Sequence, residues 1–368
     1  MRYDVVIVGA GIGGAVLALD LGRRGWRIAL VERERTPPAI ARPEVLWSPT
    51  IRALERYGVA DEIRQRACVQ VETIEIGGDE PWLRITRDDF AGADVDAFST
   101  NPSMTRAILA DAAVATGNVE IHRGIAVEEL LRENGRVAGV RGNGQEFRSR
   151  LVVGDDGGNS IVRTQLGIAI TLTPFPIDFI TALVSPWPLP PNRARVWLDL
   201  KSETPARALI PWPDNTGVML MPIRADLPTP VSMPDAKRIA RPFGHAAAYV
   251  ADGAALIGDA IHPMTPAGGQ GANASIWDAF ALADIADAAL RADDVSRERL
   301  LPYERLRRPI NDQSVAISRF ARRAFRIGQF LPLSILIPFA MRTVNALGWP
   351  KRRVLRTFSS AFVHITPR

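Results

Sequence analysis

Cysteine is almost missing from this chain. Cys68 stands alone among 368 residues, so no intrachain disulfide can form and a reduced, cytoplasmic setting is expected. Histidine is scarce as well. Four His and one Cys cannot be spaced into a ligand cluster, so no metal is expected. Long hydrophobic runs are also lacking. The first, Val5–Val8, breaks into glycine after four residues, which is not the pattern of a signal peptide. The longest, Phe330 to Met341, is interrupted by two prolines and is too short to span a bilayer. No internal repeat and no low-complexity tract occurs.

The composition is otherwise that of a soluble globular protein, with 47% hydrophobic and 23% charged residues. The length suits two packed units rather than one small core. The formal net charge of +5 conceals an uneven distribution. From Arg305 to Arg368 there are thirteen Lys/Arg and one acid, Asp312, so that segment carries +12 and the remainder −7. No nucleic-acid recognition motif accompanies the charge, and nucleic acid is not an expected partner. The segment alternates arginine clusters with Phe, Leu, Ile and Trp, as interfacial helices do. Residues 305–368 are therefore a candidate for peripheral membrane contact, against the alternative that the apolar positions pack onto the body.

The richest signal lies at the start, "YDVVIVGAGIGGAVLALDLGRRGWRIALVERE". Val5–Val8 has strand length, Gly9, Gly11 and Gly14 form GxGxxG, Ala15–Leu21 is helical, and Arg27–Val31 is a second strand closed by Glu32. Gly9 permits the tight turn, Gly11 lets the backbone approach a pyrophosphate, and Gly14 lets helix and strand pack closely. The helix start offers free N–H groups and a positive dipole end to phosphates. Glu32, eighteen residues past Gly14, is placed to accept a hydrogen bond from ribose hydroxyls. An acid there disfavours a 2′-phosphate, so the dinucleotide is FAD or NAD rather than NADP.

Further along, Ser48 or Thr50 can cap a helix ended by Gly58, and Arg42 lies before it in irregular chain. "NPSMTRAILADAAVATG" reads as a helix with Arg106 in its first turns. Asn134–Gly135 marks a hairpin turn. Residues 172 to 230 hold strand-like runs rich in Pro and Trp and no useful helix, which predicts a sheet-based unit inserted into the α/β chain. "AALIG" at 254–258 is another strand. It leads into "GDAIHPMTPAGGQGAN", where two prolines and four glycines precede a helix from Asn273 to Leu290.

Three motifs in this order resemble the single-component FAD-dependent aromatic hydroxylases, the p-hydroxybenzoate hydroxylase-like monooxygenases, a family that includes ubiquinone-pathway and quinolone hydroxylases. GAGIGG at 9–14, "GDDGGNSIVR" at 154–163 and "GDAIHPMTPAGGQGAN" at 258–273 carry the resemblance, which covers the chain to about residue 310. It implies an α/β fold: a Rossmann-like FAD-binding domain (1–72, 102–170, 250–310), an inserted β-sheet substrate domain (73–101, 171–249) and a C-terminal helical segment (311–368). FAD would be held without a covalent bond, since no His or Cys lies among the first sixty residues.

The resemblance also implies site residues. Gly9, Gly11, Gly13, Gly14, Glu32 and Arg33 would receive the adenosine half of FAD. Arg42, Arg106, Asp156 and Arg163 would lie by the pyrophosphate or the cofactor. Asp259 would bond the ribityl chain. Pro263 and Pro266 would stiffen the loop near the flavin, the bare backbone of Gly268, Gly269 and Gly271 would lie against the isoalloxazine ring, and the helix that begins at Asn273 would stabilise the anionic reduced flavin. No catalytic base can be named from the sequence. His262 and Pro266 are near-flavin candidates, and His262 has a structural alternative. Trp197, Trp212 and Met221 are candidate substrate contacts, with plain core as their alternative.

The implied reaction uses NADH or NADPH, visiting transiently because no second GxGxxG exists, and O2. A flavin C4a-hydroperoxide would pass its distal OH to an electron-rich aromatic or heteroaromatic small molecule. A flavin-dependent reductase or dehydrogenase on the same fold, or a flavin-binding protein without turnover, are the alternatives.

Overall fold

The computed structural model describes residues 2–36, 42–90, 96–175, 177–199, 206–224, 237–240, 242–266, 269–328 and 331–353. Its first layer is an eight-stranded sheet. Strand Arg2–Val8 lies at its centre, parallel to Gln145–Gly154 on one side and to Ile28–Glu32 on the other, with Val119–Arg123 beyond. Val5, Val6 and Ile7 are fully buried, which is what a continuous apolar run becomes when both faces of a parallel sheet are covered. Helix Ile12–Arg23 packs against this sheet and against the long helix Gln270–Arg291. The hairpin Val127–Glu133/Arg136–Gly142 turns at Asn134 (φ 52°) and Gly135 (φ 81°), the positive-φ pair of a two-residue loop that the Asn-Gly dipeptide predicts.

The second layer is the expected inserted sheet. Seven strands run in the order Lys237–Ile239, Ile177–Val184, Thr216–Arg224, Ala206–Trp212, Arg193–Leu198, Thr73–Gly77 and Pro81–Thr86. Cross-strand partners share a face. Thr181 pairs with Leu220, Leu220 with Ala208, and Ala208 with Val196, so these residues look one way. Ile180 pairs with Met221, and Trp197 with Arg207, so these look the other way. A small sheet of Glu44–Trp47, Ala97–Thr100 and Cys68–Gln70 joins the two layers. Ala97–Thr100 thus pairs with chain on the cofactor side of the boundary expected from the sequence.

The C-terminal helices divide the basic segment in two. Helix Arg297–Gly328 runs unbroken across residue 310. One side of it is packed as far as Ser318: Tyr303, Arg307, Asn311, Val315 and Ser318 are buried. Farther along, Phe320 is exposed. Helix Leu331–Leu347 lies on the edge strand Pro81–Thr86. The Arg84 N–H donates to Asn345 Oδ1 (3.0 Å), and Lys351 pairs with Asp89 (2.7 Å). Leu336, Phe339, Leu347 and Trp349 remain exposed. No helix among the described residues is long and apolar enough to cross a membrane. Residues 354–368 of the expected membrane-contact segment lie outside the described residues.

Candidate functional site: a dinucleotide cradle opening onto the second sheet

The glycine turn is held from below. Gly9 has φ +103°, a conformation that L side chains rarely adopt. The Ala10 N–H donates to Glu32 Oε2 (2.9 Å), so the acid that closes the second strand also fixes the turn. Helix Ile12–Arg23 has Gly11 at its N-cap and no side chain of its own to cap it. Asp155, which follows the strand Gln145–Gly154, supplies that bond instead: the Gly14 N–H donates to Asp155 Oδ2 (2.8 Å). A Cβ on Gly11 would overlap Asp155 Oδ2, one on Gly13 would overlap Ser275 Oγ, and one on Gly14 would overlap the Gly9 carbonyl. Gly13 and Gly14 therefore serve helix packing, and neither lines the cavity described next.

A cavity of about 680 Å³ runs from this turn to the second sheet. One end is walled by Gly9, Gly11, Glu32, Arg33, Arg123 and Val127. Its middle passes Arg42, Glu44, Arg106, Asp155, Asp156 and Asp259. The far end is bounded by Phe179, Thr181, Leu220 and Ile239 of the sheet and by Met264, Thr265 and Pro266 of the 258–273 loop. Gly269, Gln270 and Gly271 at the start of helix Gln270–Arg291 also line it. Gly269 is the helix N-cap at φ +60°. A Cβ added to Gly271 would meet nothing within 4 Å, so its backbone faces open space. The helix begins three residues earlier than the apolar pattern predicts because Gly269 can take the left-handed conformation. Gly268 lies outside the described residues.

Three polar atoms in these walls have no partner among the described residues: Arg106 Nε, Asp156 Oδ1 and Thr181 Oγ1. An orphaned buried polar atom costs about 1–3 kcal/mol unless something satisfies it. Burial lowers the Arg106 guanidinium, countered by Glu44, Asp155 and Asp259. Burial raises the Asp156 carboxyl, countered by its bonds to Ser160 and to the Ile161 and Val162 N–H groups at the start of helix Ile161–Gln165. Burial pushes the Asp155 carboxyl up to about 8. Arg42 sits 3.6 Å from the buried Glu44.

Several expected residues lie beneath the cavity instead of in its wall. Arg163 donates to the Ala260 carbonyl (2.8 Å) and the Gly158 carbonyl (2.9 Å), which ties the 154–163 loop to the 258–273 loop. Asn273 accepts from the Trp47 N–H (3.1 Å) and donates to the Val45 carbonyl (2.8 Å), so it pins the strand Glu44–Trp47 to the helix start. His262 is fully buried, with Nε2 2.5 Å from Asp278 Oδ2. Asp278 also accepts from Arg307 Nε (2.8 Å) and from Asn311 Nδ2 (3.0 Å). Burial alone would raise the Asp278 carboxyl, but facing His262 and Arg307 it is held well below the usual carboxylate range. This network anchors the 258–273 loop to two helices, and His262 takes its structural alternative.

The candidate substrate contacts also differ from expectation. Trp197 and Met221 face away from the cavity, a consequence of strand parity. Trp197 is sandwiched by Arg195 (5.2 Å) and Arg207 (4.7 Å). Met221 clusters with Ile180 and Ile223. Trp212 shares the cavity face but is buried at the strand end and does not line the cavity. Leu220, next to Met221, occupies the position expected for it. The sequence reading missed Asp155, Arg123, Phe179, Thr181 and Leu220. Only Asp155 left a signal, as the first of two acids in "GDDGG".

The donor set fits FAD. A helix N-terminus and a Cβ-free turn face the space a pyrophosphate needs, Arg106 has an unspent donor, and a backbone-lined loop faces the sheet. Arg106 and the turn would hold the phosphates, Glu32 the ribose, and Gly269–Gly271 the ring. No cluster of His, Cys, Asp and Glu fit for a metal occurs among the described residues.

Comparison with known proteins leads to the same cofactor. The FAD binding domain family matches residues 2–242 and 231–318, and the chain belongs to that family. It is 28% identical over 307 residues to a rifampicin monooxygenase of Streptomyces venezuelae, a match over 76% of this chain and 63% of that protein. It is 27% identical over 391 residues to the ubiquinone hydroxylase UbiL of Rhodospirillum rubrum, covering 96% and 88%. The structure of Pseudomonas aeruginosa PqsL in complex with 2-aminobenzoylacetate superposes with a TM-score of 0.76 at 27% identity, covering 89% of this chain and 98% of that one. The chain therefore spans just under two thirds of the first of these relatives and most of the other two.

Proposed function

We propose that the protein is an FAD-dependent monooxygenase that uses NADH or NADPH and O2 to hydroxylate an uncharged aromatic or heteroaromatic small molecule. The observation that carries this reading is the continuity of one cavity from a phosphate-suited turn to an apolar wall of the second sheet. Cofactor and substrate would meet there with little water between them. When bound, the flavin supplies hydride acceptance and oxygen activation. The protein's part is to position the ring, exclude water and hold the flavin's charge at the helix start. Relatives that are monooxygenases or hydroxylases support the class. Phe179, Leu220, Ile239 and Met264 favour an apolar ring, because a charged group would lose its hydration against them. Arg42, Arg106, Asp156, Asp259, Pro266 and Gly271 are the residues assigned to FAD, with Arg33 at the rim.

The test is a substrate screen that reads stimulation of NAD(P)H oxidation and confirms the hydroxylated product by mass spectrometry. Oxidation coupled to a product that gains one oxygen is expected. A reduced product without added oxygen would replace this function by a reductase.

The C-terminal helices are assigned to an anionic membrane surface. Exposed Phe320, Phe339, Leu347 and Trp349, with Arg342, Arg352 and Arg353 also exposed, support this, as does the absence of any acid after Asp312. Each arginine near such a surface adds about 1 kcal/mol. A membrane site suits a long-chain or prenylated ring. Co-sedimentation with anionic vesicles at low salt, reduced at high salt and absent with neutral vesicles, is expected. Negligible binding to both kinds would leave a protein that works away from membranes.

A further inference from the structure

The end of helix Ile12–Arg23 that should receive the FAD pyrophosphate already faces an acid. We propose that Asp155 is a protonation-linked gate on FAD binding: its carboxyl is neutral in the FAD complex, so binding draws a proton onto it. The inference rests on FAD occupying the cradle and adds a requirement on the chain's own residues.

The geometry puts the carboxyl where a phosphate charge has to come. Asp155 Oδ2 accepts from the Gly14 N–H at 2.8 Å, one of the free donors of the helix start. The same oxygen lies against Gly11, the residue at which the backbone is bare for a close approach. Asp155 Oδ1 lies towards Gly258, 2.9 Å from where its Cβ would be. The residue thus bridges the glycine turn and the 258–273 loop, and it lines the cavity. An ionised carboxylate here and a pyrophosphate carrying two negative charges would compete for one helix dipole.

The surroundings do not cancel the charge. From its own loop Asp156 faces it, and from the 258–260 turn Asp259 faces it, both acidic. The cation opposing them is Arg106 from helix Pro102–Val114, itself shared with Glu44 and Asp259. The glycine turn contributes the Gly14 N–H, and from helix Gln270–Arg291 the Ser275 hydroxyl lies beside Gly258, whose N–H donates to Asp278 Oδ2 at 3.2 Å. Removing one negative charge at Asp155 keeps the cap, because a neutral carboxyl still accepts from Gly14 through one oxygen. It also removes the like-charge repulsion toward the phosphates.

The sign follows from burial, which pushes this carboxyl up to about 8 in the free protein. Below that pH the group is already neutral and FAD affinity is full. Above it a proton must be taken up, and affinity falls with rising pH toward tenfold per unit.

Apoprotein is titrated with FAD from pH 6.5 to 9 by flavin fluorescence. The expected Kd is flat up to about pH 7.5 and about tenfold weaker at pH 9. Calorimetry at pH 8.5 in two buffers of different ionisation enthalpy should report uptake of about three quarters of a proton per FAD. Asp155→Asn, which keeps the acceptor to Gly14, should abolish the pH dependence and bind at pH 9 as tightly as the native protein at pH 7. A flat native profile, no proton uptake, or an Asn variant that keeps the slope would each overturn the gate. Flavin ionisation is common to both proteins and cancels in the comparison. Failure to bind FAD even at pH 6.5 would instead sink the cofactor assignment itself, and the gate with it.

Discussion

Towards one end of the cavity, Glu32 and, farther in, Arg106, Asp155, Asp156 and Asp259 flank a turn of bare backbone; at the other, Phe179, Leu220, Ile239 and Met264 form a wall whose polar atom without a partner among the described residues is the Thr181 hydroxyl. The first end is built from loops that leave the C-terminal edge of a parallel sheet, tied down by long-range bonds such as Gly14 to Asp155 and Ala10 to Glu32. The second is the face of a mostly antiparallel sheet, where alternate residues are presented without any special bond. Fixed donors and acceptors suit a ligand of constant structure, the cofactor. A face of interchangeable side chains suits a substrate that differs from relative to relative.

The contrast can be broken at its strongest point first. Gly11→Val puts a side chain into Asp155 and into the approach to the helix start, and the purified variant is expected to lose flavin absorbance altogether while keeping its circular dichroism. Normal flavin content would mean that the turn is not the phosphate site. Next, Arg106→Ala removes a buried donor with no partner among the described residues. FAD Kd should rise about tenfold to a hundredfold, the range for about 1.5–3 kcal/mol in hydrogen bonds to charged groups, with substrate KM at saturating FAD changing little. Smallest are the paired sheet variants. Leu220→Ala should raise KM for an apolar ring about tenfold, from lost burial, without altering FAD Kd. Trp197→Ala, on the far face, should stay within about twofold, as surface changes do. A Trp197 effect equal to that of Leu220 would mean that the substrate uses the opposite face.

The cofactor end was largely legible in the sequence because its signals are local. Gly9, Gly11 and Gly14 stand within one turn of chain, Glu32 within one strand, and Asn134–Gly135 within one hairpin, and each carries its own conformational requirement. Asp155 was not legible as a cap because its partner Gly14 lies 141 residues away. Arg163 and Asn273 were legible as part of the loop motifs, but their bonding to carbonyls beneath the cavity depends on packing no spacing encodes. At the sheet end the strands could be read and their faces could not. A shift of one residue exchanges Met221 for Leu220, and only the pairing register decides which of the two meets the cavity.

The most direct measurement is a crystal structure of the protein with FAD. The account predicts adenosine between Glu32 and Arg123, the pyrophosphate over Gly11 with Arg106 Nε now bonded, and the isoalloxazine ring between Gly271 and the Phe179–Leu220 wall. FAD density elsewhere, or within this cavity with Arg106 Nε still unpartnered and the ring turned from the sheet, would contradict it.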